Sequence, residues 1–164
     1  VDRRRLLVGL GALAVVPQMT WAKDYIDLDW GDLMPEGQAA STPVLQGVIQ
    51  HDQAPLVNQQ PQSQGVRTEW NGNVVRLPGF IVPIDFSGTG VTAFILVPFV
   101  GACIHVPPPP ANQLVLVTTE RPYESSGLFE PVKVTGMFGV SSISTHLADI
   151  GYALSADRIE RYRS

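Results

Sequence analysis

The sequence predicts a mainly β fold: a small OB-like β-barrel with short helical pieces, placed after an N-terminal signal peptide. Three observations lead there. Pro (14) and Gly (15) are abundant in 164 residues, which favours turns over long helices. About five or six apolar runs of strand length follow one another from Val66 to Tyr162, separated by turn residues. Glycines sit inside two of those runs, at Gly79 and Gly136, where a barrel needs corners and a flat sheet does not.

The first 22 residues read as an export signal. Arg3, Arg4 and Arg5 precede an apolar run from Leu6 to Val16, Pro17 ends it, and Thr20-Trp21-Ala22 offers a small-x-small cleavage site. The run is too short for a stable membrane anchor, and no cysteine near it would take a lipid. The three arginines suit either a Sec or a twin-arginine route, so the expected location is the periplasm. Cleavage would remove three Arg and one Asp, taking the net charge from −4 to −6. That balance argues against nucleic acid and anionic lipid as partners.

Residues 23–65 are expected to be an acidic N-terminal segment and linker. Tyr25, Ile26, Leu28, Trp30, Leu33 and Met34 alternate with carboxylates, so the segment can dock its apolar side chains while its acids stay wet, or form a helical turn ending at Pro35. Residues 38–66 are rich in Gln, Ala, Ser and Pro and show no periodicity.

Residues 66–164 are expected to form the barrel. Asn71-Gly72 marks a turn between Val66–Trp70 and Val74–Leu77. Val74–Phe86 reads as one long strand bent at Pro78-Gly79, and Val91–Val97 as a buried strand. A loop at 99–112 carries four prolines. Leu114–Thr118, Val132–Val140 and Tyr152–Tyr162 read as further strands, and 141–150 as a short helix or an extended piece. Trp30, Trp70, Phe80, Phe94 and Phe138 are expected in the core or as a lid. Asp157, Arg158, Glu160 and Arg161 read as a solvated strand face.

The chemical clue is Cys103, the single cysteine. An exported protein cannot pair it internally, so it is buried, modified or metal-bound. In Cys103-Ile104-His105 an extended backbone would point thiol and imidazole the same way, and that pair suits zinc, with copper second. Pro107, Pro108, Pro109 and Pro110 would stiffen the site, and Asn112 and Gln113 could hydrogen-bond behind it. Zinc wants three or four ligands. His146, His51, Asp85 and water are the candidates, with His146 favoured because it lies in the domain. The competing reading makes Cys103 a small core hydrophobe. A Cys–His nucleophile is the least favoured, because no oxyanion hole or orienting third residue stands out, and the chain is expected not to be an enzyme.

The blocks R-L-P-G-F-I-V-P (76–83), F-I-L-V-P-F (94–99), G-A-C-I-H-V-P-P-P-P-A-N-Q (101–113), P-V-K-V-T-G (131–136) and Gly151-Tyr152 resemble the bacterial domain of unknown function 3299 family (DUF3299) over roughly residues 28–162. The resemblance implies an exported or lipid-anchored protein without an established activity, similar to accessory proteins encoded beside ABC-type permeases in settings linked to zinc supply. It strengthens the metal reading of Cys103 and His105 and assigns no third ligand. Two functions follow as expectations. One is a periplasmic zinc-binding accessory or chaperone assisting an ABC-type transport system. The other is a metal-free interaction module contacting a membrane permease through its Pro-rich loop.

Overall fold

A computed structural model describes residues 24–37, 60–103 and 107–162, and the proposed signal peptide falls outside them. Six strands run in the order β1 (Ile26–Asp27), β2 (Val74–Ser87), β3 (Gly90–Val97), β4 (Val115–Tyr123), β5 (Pro131–Ser144) and β6 (Asp149–Arg161). Among the described residues, two 3-10 turns, Trp30–Leu33 and Ala111–Gln113, are the short helical pieces.

Strands β2 to β6 close a five-stranded barrel in the order β2-β3-β4-β6-β5, with β5 returning to β2. Only β4 and β6 run parallel; the other barrel neighbours are antiparallel. This is the partly open Greek-key order of an OB-type barrel. The length of β2 explains the closure. Its first half, Val74–Phe80, pairs with β5, and its second half, Phe80–Ser87, pairs with β3. The change of partner falls at Phe80, just after Pro78-Gly79, and a Cβ on Gly79 would lie 2.7 Å from Leu96 Cγ. Gly136 lies at a register shift where β6 bulges at Asp157, and a Cβ there would clash with the carbonyl oxygen of Ser155. Both glycines are required by close approach rather than by turn conformation.

The strand period of two sorts the apolar side chains onto two faces. Val75, Leu77, Ile81, Phe94, Leu96, Val117, Val134, Phe138, Tyr152 and Leu154 fill the barrel interior. Val82, Ile95 and Leu116, abreast on β2, β3 and β4, take part in a second cluster on the outer face.

Three expectations are refined. Val66–Trp70 is not a strand: residues 60–68 have no regular structure, and the turn at 69–72 leads from this strap directly into β2. Residues 141–144 extend β5 rather than starting a helix. The acidic segment joins the domain. Ile26 and Asp27 pair in parallel with Val75 and Arg76, and Leu28 and Leu33 enter the interior cluster while Asp27 and Asp29 stay exposed.

Candidate functional site

The motif loop connects β3 to β4 and folds back over the outer face of β2, β3 and β4. Its first part, through Phe99, Ala102 and Cys103, packs on Val82, Ile95, Val97 and Leu114, with Leu147, Ala148 and Ile150 completing the cluster. The backbone reverses sharply there: Gly101 has φ 95° and Cys103 has φ 68°. A left-handed non-glycine residue is held at a cost of about 1–2 kcal/mol. The packing of the Cys103 side chain sets that conformation against the cost. Cys103 has no solvent exposure, and burial pushes its thiol up to about 12. It is therefore a neutral thiol at every physiological pH, the opposite of an activated nucleophile.

The second part of the loop is fastened by its polar side chains. Gln113 Nε2 donates to Trp30 O at 2.9 Å and Asn112 O at 3.1 Å, and Asn112 Nδ2 donates to Gly65 O at 2.9 Å. From outside the motif, Gln60 Nε2 donates to Pro109 O and Asp149 O, both at 2.8 Å, and Gln60 Oε1 accepts from Asp149 N at 2.8 Å. Pro108 and Pro109 are buried, Pro110 is half-buried and Pro107 is exposed. The acidic segment is fastened in turn: Trp30 Nε1 donates to Pro78 O at 2.8 Å, and the Tyr152 hydroxyl donates to Leu33 O at 2.7 Å. Among the described residues no buried side-chain polar atom lacks a partner.

Of the expected metal ligands, Cys103, His146 and Asp85 lie among the described residues. Cys103 lies among apolar side chains. His105 and His51 lie outside the described residues. His146 is exposed in the turn between β5 and β6, although its neighbours Leu147 and Ala148 share the cluster of Cys103. Asp85 is exposed on β2, where its Oδ1 accepts from Phe86 N. Among the described residues no three His, Cys, Asp or Glu side chains converge well enough to hold an ion.

A polar centre that the sequence did not suggest lies at Glu130, just before β5. Glu130, almost fully buried, accepts from Tyr123 OH (3.0 Å), Ser125 Oγ (2.8 Å) and Ser126 N (2.7 Å), and pairs with Arg161 Nε at 2.6 Å. Burial opposes the ionised carboxylate, but the bonds from Ser126, Ser125 and Tyr123 and the Arg161 charge outweigh it and hold the group below its usual range. Arg161 is thus one half of a structural ion pair rather than a merely solvated charge. A single Glu between Phe129 and Pro131 carries no periodic or motif signal that would have revealed it.

Fold and loop together define an OB-type barrel whose outer strand face is closed by its own motif loop. The family model for DUF3299, described as a protein of unknown function, matches residues 30–161, and the chain belongs to that family. The chain is also similar to a solved structure, that of a DUF3299 family protein from Pseudomonas aeruginosa PAO1. The two share 36% sequence identity with a TM-score of 0.75, over 85% of this chain and 97% of that one. No curated protein matches the chain. Among the described residues no helix is long and apolar enough to cross a membrane.

Proposed function

We propose that this protein is a periplasmic, non-enzymatic interaction module, and that the Cys103–Gln113 motif is its scaffold rather than its chemistry. One observation carries the reading. Asn112 and Gln113 direct their amide groups to the chain's own backbone, and Cys103 packs as a hydrophobe, so these three motif residues are engaged within the chain itself. The partner class we carry forward from the family resemblance is a membrane permease of ABC type. With Pro108 and Pro109 buried, the tetraproline serves as a strut under the loop, so the partner is met elsewhere on the surface.

A second reading, a zinc-binding accessory, is favoured by one specific observation: the turn carrying His146 packs into the same cluster as Cys103. In that reading Cys103, His105 and His146 would meet after the loop shifts, and the thiol would lose its proton on binding. Elemental mass spectrometry on untagged protein purified from the periplasm separates the two. The interaction-module reading predicts no stoichiometric zinc or copper. About one metal per chain, lost in both Cys103→Ser and His105→Ala, would overturn it in favour of the accessory reading.

A further inference from the structure

The loop between β4 and β5 closes on one carboxylate. Glu124, Ser126, Gly127 and Leu128 are exposed, whereas Glu130 is buried. At the start of the loop Glu124 O accepts from Arg161 on β6, and the Glu124 carboxylate accepts from Thr89 in the β2–β3 turn. At its end Phe129 N donates to Ile81 O and Ile81 N donates to Glu130 O. Between these anchors Ser125 Oγ donates to Gly127 O and accepts from Gly127 N, which shapes the loop without tying it to the barrel. The tie is the Glu130 side chain. Its Oε2 accepts from Ser125 Oγ and Ser126 N, and its Oε1 accepts from Tyr123 of β4 and pairs with Arg161 of β6.

These four donors fill the four lone-pair positions of an ionised carboxylate. Protonation puts an O–H where one donor points and removes the charge that Arg161 meets. The titratable and charged groups on the surrounding elements are Tyr123 on β4, Arg161 on β6 and Glu124 in the loop. Lys133, the first charge on β5, lies over the Tyr162 ring, and β2 meets Glu130 through the backbone of Ile81. The closed loop is also held against strain. Phe129 has φ 59°, in the left-handed region that costs a residue with a Cβ free energy, and its side chain packs on the outer-face cluster of Val82, Ile95 and Leu114. Among the described residues the interior cluster draws no side chain from 124–129, so the loop can open while the barrel stays closed.

We propose that Glu130 is an acid-sensitive latch: protonation of its carboxylate frees residues 125–129 and lifts Phe129 from the outer face, while the barrel stays folded. The device goes beyond the interaction-module reading and does not depend on it. The closed loop favours the ionised carboxylate, and its partners hold that group below the ordinary value of 4.5. Closure is therefore at full strength above pH 4.5 and is lost as pH falls through the lower value that the group has in the fold. Opening relieves the left-handed Phe129 and exposes apolar side chains of the outer face to water.

The test follows the full chain, isotope-labelled, by NMR from about pH 7 to about pH 2.5. The Glu130 side-chain carboxyl carbon reports the titration, and backbone order parameters report the loop. The order parameters of 126–129 are expected to fall in one step that coincides with the Glu130 titration, below pH 4.5, while those of β2 to β6 hold. Binding of an apolar dye should rise in the same step. Glu130→Gln should show the mobile loop already at neutral pH. Ser125→Ala keeps the carboxylate and removes one donor, so it should move the step up toward pH 4.5. A loop that stays rigid after Glu130 has titrated would overturn the proposal. So would a loop that loosens only together with the strands, or a step that Ser125→Ala leaves in place.

Discussion

The inside of the barrel and the outer face of β2–β4 are both apolar and both dry, but they are kept dry in different ways. The interior is sealed by strand closure. Its side chains come from all five barrel strands, and Gly136 lets the backbone of β6 come close at Ser155. The outer face is sealed by one loop that supplies Phe99, Ala102 and Cys103 and is fastened by side-chain amides bonded to backbone carbonyls. Strand register alone would leave Val82, Ile95 and Leu116 in water. The difference teaches that side-chain amides of a loop, here Asn112 and Gln113, can act as latches that hold it over a strand face.

The largest effect should come from the interior. Phe94→Ala, at a fully buried position, is expected to cost about 3–5 kcal/mol in urea unfolding. Its neighbour Ile95 is equally buried but points the other way, and Ile95→Ala is expected to cost about 2–4 kcal/mol. Only the second should speed alkylation of Cys103 by loosening the loop. Equal acceleration by both substitutions would erase the distinction between the two faces.

Gln113→Ala removes the latch to Trp30 O and should cost about 1–3 kcal/mol. It should also increase amide exchange in 30–34 and 111–114 while leaving β5 and β6 protected. Uniform loss of protection would mean the latch is part of global stability and not of the lid alone.

A smaller effect comes from pH. The Cys103 thiol is raised in the fold from an ordinary value of 9.0 to about 12, and it is the neutral form that the fold favours. Above about pH 9 the unfolded chain loses a proton that the folded chain keeps, so stability falls as pH rises through that window, by at most about 1.4 kcal/mol per pH unit. Below pH 9 the thiol contributes no slope. Cys103→Ala, expected to cost about 1 kcal/mol at neutral pH, should lack the alkaline slope. Parallel alkaline curves for the two proteins would contradict the burial of the thiol.

Much of the barrel was legible in the sequence because strand alternation, turn residues and mid-strand glycines are local signals. The close approaches at Gly79 and Gly136 were readable as interruptions of apolar runs. The end of β4 was not: Thr119–Pro122 form a bulge, and a polar run with a proline looks the same as a loop. The site was less legible. Cys103 and His105 were singled out because thiol and imidazole are ligands, but sequence spacing assumes an extended backbone, whereas Cys103 is left-handed. The fastening of Gln60 to Pro109 spans 49 residues and leaves no local trace. Glu130 and Arg161 meet because β6 returns alongside β5, with Arg161 opposite Val132.

The most direct test of the account is the alkylation rate of Cys103 in the native full-length chain, followed by mass spectrometry with and without a strong chelator. A lid residue buried among apolar side chains should react slowly, at a rate set by opening of the loop and identical in both samples. A rate that rises sharply when the chelator is added would show the thiol to be held by a metal ion, and would contradict the assignment of the motif as scaffold.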